Sequence, residues 1–149
     1  MEIVFYLIFC GIVGYVVFLL ATRFRGFDDP KPMSNQTLIA AIAGQAEWLE
    51  KMSVAPVESQ NSASIIELAT KRRKYIARLC LEVLSRDSAM SEMKYPGATE
   101  AMPSVFSEAA KFALELEATG VSKENAAVRA VKEKLFIANG LRFPTRWEV

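Results

Sequence analysis

An all-α architecture is predicted: one N-terminal transmembrane helix, a compact bundle of about four helices, and an extended C-terminal tail. Three observations predict it. Residues 3–21 carry no charged side chain. From residue 34 onward, apolar residues recur at the three- and four-residue spacing of a helix face. No stretch sustains the apolar–polar alternation of a half-buried strand, so no strand is required.

The first element runs from Ile3 to Ala21 and is followed at once by Arg23 and Arg25. About 20 apolar residues, rising ~1.5 Å each, cross the ~30 Å hydrocarbon core of a bilayer. A secretory signal would place basic residues before a shorter core and end on a small-x-small cleavage site. Here only Glu2 precedes the core, and Leu19-Leu20-Ala21 imitates such a site poorly. Residues 1–25 therefore read as an uncleaved anchor. Lysine and arginine are absent before the span and present after it, which places the N-terminus outside and the remainder in the cytoplasm. Asn35-Gln36-Thr37 has the form of a glycosylation acceptor, but it would face the wrong compartment and reads instead as a helix start. Cys10, Gly14 and Ala21 share one face of the span, with Gly11 beside them. Small residues let a second membrane helix approach closely, so these four are the candidate helix-packing residues.

Residues 26–33 contain Pro30 and Pro32 and read as a short, stiff juxtamembrane linker, because each proline fixes its own φ and restricts the residue before it. The helical domain occupies residues 34–140. Ser34 or Asn35 caps a helix to about Met52, with Leu38, Ala41, Ile42, Trp48, Leu49 and Met52 on one face. Residues 54–61 form a loop. Ser64 and Glu67 have capping-box spacing, and the next helix begins there or at Ser62. Its stripe is Ile65, Leu68, Ala69, Ile76, Leu79, Cys80 and Val83, fading near Arg86. Residues 88–102, with Pro96-Gly97, break the helix. Pro103 opens the third helix, Val105, Ala109, Phe112 and Leu116 form its face, and Gly120 stops it. Ser122 restarts helix with Ala127, Val128, Val131, Leu135 and Ala138 inward, until Gly140. Residues 141–149, which contain Pro144, form the extended docking tail.

Composition excludes several functions. Setting aside Glu2, Arg23 and Arg25, the remainder holds sixteen basic and sixteen acidic side chains. That balance lacks the basic excess of a general nucleic-acid binder. Histidine is absent, which removes the commonest general base and transition-metal ligand. Cys10 and Cys80 are the only cysteines, one in the span and one beyond it, so no disulfide framework exists. Cys80 lies between Leu79 and Leu81 and reads as a small buried hydrophobe. The carboxylates are dispersed. No cofactor, no metal and no small-molecule substrate are expected.

Two clusters remain. Lys71-Arg72-Arg73-Lys74 is the one basic run, and four successive helical residues span about 300°, so they cannot share one face. Arg72 falls near the centre of the apolar stripe. It must snorkel, pair with a carboxylate such as Glu47, Glu108 or Glu115, meet an acidic partner, or lie on anionic lipid. Gln45 also falls on an inward stripe and needs hydrogen-bond partners. A Gln45–Arg72 pair would serve both, but helix periodicity does not bring them together. The second cluster is the tail, where Arg142, Phe143, Arg146 and Trp147 interleave cations and aromatics. Such residues anchor interfaces; alternatively, Trp147 closes the domain's own core.

These features lead to an expected function as a non-catalytic, single-pass membrane subunit, a structural or adaptor component of a larger complex. Secretion or conjugation machinery and respiratory assemblies are settings of that kind. Its partners would be other membrane-protein subunits, met through the span and the tail, and the lipid bilayer. The alternative is a stand-alone membrane-tethered module, with Lys71 to Lys74 recruiting a soluble protein or gripping anionic lipid.

Overall fold

The computed structural model describes residues 27–86 and 103–149. The apolar run 3–21 and the helix break at 88–102 lie outside them. All regular structure among the described residues is helical, as expected. No helix among them is long and apolar enough to cross a membrane.

Helix α1, Asn35–Ser53, starts where its cap dictates, with the Ser34 hydroxyl accepting the Thr37 N–H at 3.2 Å. Its buried face is Leu38, Ile39, Ile42, Ala46 and Leu49. Ile39 and Ala46 therefore replace Ala41, Trp48 and Met52, which are only partly buried. The expected loop contains a single turn, α2 (Val57–Gln60). The Gln60 amide holds that turn by donating to the Ser53 carbonyl at 3.1 Å and to that of Ala55.

Helix α3, Ala63–Ser85, begins at the earlier of the two expected points. The capping box does not form. The Ser62 hydroxyl meets that of Ser64 at 2.8 Å, and the Glu67 carboxylate instead pairs with Lys71 at 2.7 Å. Helix α4, Pro103–Ala118, closes on Gly120, whose φ is +94°. The Val121 N–H donates to the Leu116 carbonyl and the Gly120 N–H to that of Glu117, the two bonds of a Schellman stop.

Helix α5, Lys123–Ala130, is capped by the Ser122 hydroxyl, which accepts the Asn125 N–H at 3.3 Å. It then widens into a π-helical segment, Val131–Phe136, and tightens into a 3-10 turn, Ile137–Asn139. Gly140, at φ +81°, repeats the Schellman stop through Leu141 and Phe136. The π segment changes the register. Ala138, expected inward, is exposed, and Phe136 is fully buried in its stead.

The packing seams are α1 against α3, α3 against α5, and α5 with its π segment against α4. Alanines dominate the last seam: Ala109, Ala113, Ala126, Ala127 and Ala130 are all buried. Small side chains there allow a close interaxial approach. The tail lacks regular structure and folds back so that Trp147 is 0% exposed, the largest enclosed side chain.

Candidate functional site: the linker seam and the docked tail

The linker does not hang free. Its Asp29 carboxylate accepts the Lys31 N–H at 3.2 Å, and the Met33 N–H donates to the Pro30 carbonyl at 3.1 Å, making a compact turn. Arg86, the last residue of the α3 region, grips that turn. One Nη1 donates to the Met33 carbonyl at 2.6 Å and to Asn35 Oδ1 at 3.1 Å. Nη2 donates to the carbonyls of Lys31 at 2.5 Å and Pro30 at 3.2 Å. Nε is paired with Glu82 at 2.7 Å, one helical turn back, which fixes the guanidinium plane. Both Nη groups of one arginine thus hold the linker on the bundle, while its Nε is fixed by α3 itself.

Ahead of that turn, the Phe27 ring meets Tyr75 of α3 edge-on at 5.3 Å. Burial raises the Tyr75 pKa, Asp28 and Asp29 raise it further, and Arg78 opposes them. Arg72 lies in the same seam. Its Nη1 donates to Gln45 Oε1 at 2.6 Å, and its Cζ sits 4.3 Å from the Trp48 ring centroid and 6.0 Å from that of Phe27. Burial disfavours its charged form. Among the described residues no carboxylate lies within ion-pair distance of it. Glu47, an expected partner, pairs with Lys51 at 2.8 Å on the outer face of α1. Glu108 and Glu115 line a separate groove with Phe112 and Lys134. An amide and an indole face meet Arg72 in place of the carboxylate that was one of its expected partners, because Gln45 and Trp48 are a turn apart on the helix that packs against α3. Its enclosed Nε has no acceptor among the described residues.

The basic run therefore divides as its 300° spread requires. Lys71 is a solvent pair with Glu67, Arg72 enters the aromatic seam, Lys74 is exposed, and Arg73 Nε donates to the Arg146 carbonyl at 3.2 Å. Burial lowers the Arg73 pKa, and Arg146 lowers it further.

Arg73 is one of several clamps on the tail. Glu50 of α1 accepts the Thr145 N–H at 2.6 Å, and Lys132 donates to the Thr145 carbonyl at 2.7 Å. Arg129 pairs with Glu148 at 3.2 Å, and the Asn125 amide exchanges two hydrogen bonds with the Val149 backbone, at 3.1 and 3.4 Å. Trp147 packs edge-on against Phe136 at 5.3 Å and beside Phe143 at 5.5 Å. Phe143 is half-buried, whereas Arg142 and Arg146 are exposed. Of the tail's four expected partner-binding residues, then, only the two arginines face outward. Cys10, Gly11, Gly14 and Ala21 lie outside the described residues.

Sequence reasoning missed Arg86, Glu50, Asn125 and Lys132. The Glu82–Arg86 spacing is a legible helix pair, but nothing local announces its reach to the linker. A cleft of about 690 Å³ opens between the linker, the end of α3, α4 and the start of α5. Its floor is apolar, with Leu81, Leu84 and Ala113, and its rim carries both signs, with Arg78, Lys123, Glu82 and Glu117. Among the described residues no three histidine, cysteine or acidic side chains gather to hold a metal ion. Cys80 is fully enclosed, and burial pushes its thiol pKa far up, so the thiolate is suppressed. Comparison with protein-family models, with curated proteins and with solved structures gave no match.

Proposed function

We propose that this protein is a non-catalytic, single-pass membrane subunit whose helical domain acts as a bracket in a larger complex. The observation that carries the reading is the docked linker. A tether needs only a flexible connection. Here Arg86 binds the linker backbone at Pro30, Lys31 and Met33, which fixes the orientation of that turn on the domain. Fixed orientation is what a structural component requires. The uncharged run 3–21 supports an anchor at the end of that linker.

The test is mass spectrometry of the chain extracted from its native membrane in mild detergent. The expected result is a full-length chain within a large assembly of fixed partners. A full-length monomer would favour the tethered-module alternative, and loss of about 21 residues would overturn the anchor. A second arm uses Gly14→Leu, which should reduce recovery of partners if the small-residue face of the span is an interface.

A further inference from the structure

We propose that Arg72, seated between Trp48, Gln45 and Phe27, is a binding site for the phosphate of an anionic lipid headgroup. This rests on reading residues 3–21 as the anchor. Three observations support the ligand class. The guanidinium is positioned before any anion arrives, with its face on an indole 4.3 Å away and Nη1 held by Gln45. Its other edge carries no hydrogen bond among the described residues: Nε is enclosed without a partner, and no acceptor meets Nη2. Finally, the cation is without a carboxylate among the described residues, although Glu47, Glu50 and Glu67 on the same two helices are each engaged elsewhere. An oriented arginine whose charge is uncompensated is suited to a phosphate oxygen, which forms a short charge-assisted bond.

Position selects the lipid as the source. Five residues separate Ala21 from Phe27. Even fully extended they bridge roughly 20 Å, and the headgroup layer itself is about 5–7 Å deep. The Phe27 ring is 6.0 Å from the Arg72 guanidinium, so this face of the bundle is held beside the bilayer surface. Trp48 next to Arg72 matches the indole-and-cation pairing found at membrane interfaces. Arg23 and Arg25 add positive charge along the same short path.

The experiment titrates the detergent-solubilised full chain with soluble dihexanoyl-phosphatidylglycerol and with dihexanoyl-phosphatidylcholine, following tryptophan emission. The chain has two tryptophans and Trp147 is enclosed, so the signal reports Trp48. Phosphatidylglycerol should bind about tenfold more tightly, and Arg72→Met should abolish the difference without moving the melting temperature. If Arg72→Met does not fold, Gln45→Ala is read instead and should weaken the preference severalfold. Equal affinity for the two lipids, or an undiminished preference in the variants, overturns the site. So does a response to inorganic phosphate, or to a glutamate-rich peptide, as strong as that to phosphatidylglycerol. Alkaline carbonate extraction separates the two readings. A chain released by carbonate refutes the anchor, whereas a retained chain that does not discriminate between the lipids refutes the headgroup site alone.

Discussion

At the residue scale, Trp147 and Glu148 show how adjacent side chains hold one tail by different means. Trp147 contributes area and edge-on contact with Phe136, yet its buried Nε1–H has no acceptor among the described residues. Trp147→Ala should cost about 3–5 kcal/mol in urea unfolding. Trp147→Phe should cost much less, since it keeps a ring and removes an unmet donor. For Glu148, burial pushes the pKa up, but its backbone hydrogen bond and Arg129, with Lys132 behind it, hold it below the usual 4.5. A carboxylate with a depressed folded pKa stabilises the fold above its unfolded value, and that stability is lost as pH falls through the folded one. Stability should therefore fall as pH drops below about 4.5. Glu148→Gln should flatten that acid limb and cost under about 1 kcal/mol at neutral pH, because the pair is half-solvated.

At the element scale, the helices obey local rules closely enough for single substitutions to have predictable signs. Gly44 lies inside α1, exposed, with open space where a Cβ would sit. Gly44→Ala should stabilise by about 0.5–1 kcal/mol in a thermal melt, because alanine loses less backbone entropy in a helix. Gly140 also has open space, but its φ of +81° penalises any Cβ. Gly140→Ala should destabilise by about 1–2 kcal/mol. Opposite signs at two equally uncrowded glycines would show that backbone conformation, and not packing, decides. The Arg86 clamp also belongs to this scale. Arg86→Ala should raise hydrogen exchange at the Met33 amide about tenfold or more, while the amides of the α3–α5 seam stay protected. Unchanged exchange there would mean that the proline turn holds the linker without the arginine.

At the scale of the whole molecule, the tail joins three helices through Glu50, Arg73, Asn125, Arg129 and Lys132. Removing residues 141–149 takes away Trp147 and every clamp on it, so it should lower the melting temperature of the whole domain, with one cooperative transition shifted by about 10–20 °C, roughly what a loss of at least 3–5 kcal/mol does to a domain of this size. A deletion that leaves the melt unchanged but loses a partner would make the tail a docking segment after all. The two ends of the described chain are thus both fastened to the bundle, the linker through α3 and the tail through α1, α3 and α5. Rigidity at both ends suits a bracket better than a swinging tether.

How much of this was legible beforehand depends on distance along the chain. The sequence alone determines the helical class, the starts at Pro103 and Ser122, those near Ser34 and Ser62 to within one or two residues, and the stops at Gly120 and Gly140. Those signals act within one or two turns, through side-chain caps and the conformational freedom of glycine. Part of each buried stripe follows from the same local rotation, such as Leu38, Ile42 and Leu49 in α1 and Ile76, Leu79, Cys80 and Val83 in α3. The expected Ile65, Leu68, Ala69, Phe112 and Leu116 are only partly buried. The tertiary structure alone decided that Arg72 meets Gln45, 27 residues away, that Arg86 reaches back 53 residues to Met33, and that Glu50 receives Thr145, 95 residues on. It also decided that the end of α5 widens so that Phe136 turns inward beneath Trp147. Periodicity states which face of a helix is apolar. It does not state which face of which neighbour it meets, and buried polar groups take their partners only once those faces are packed.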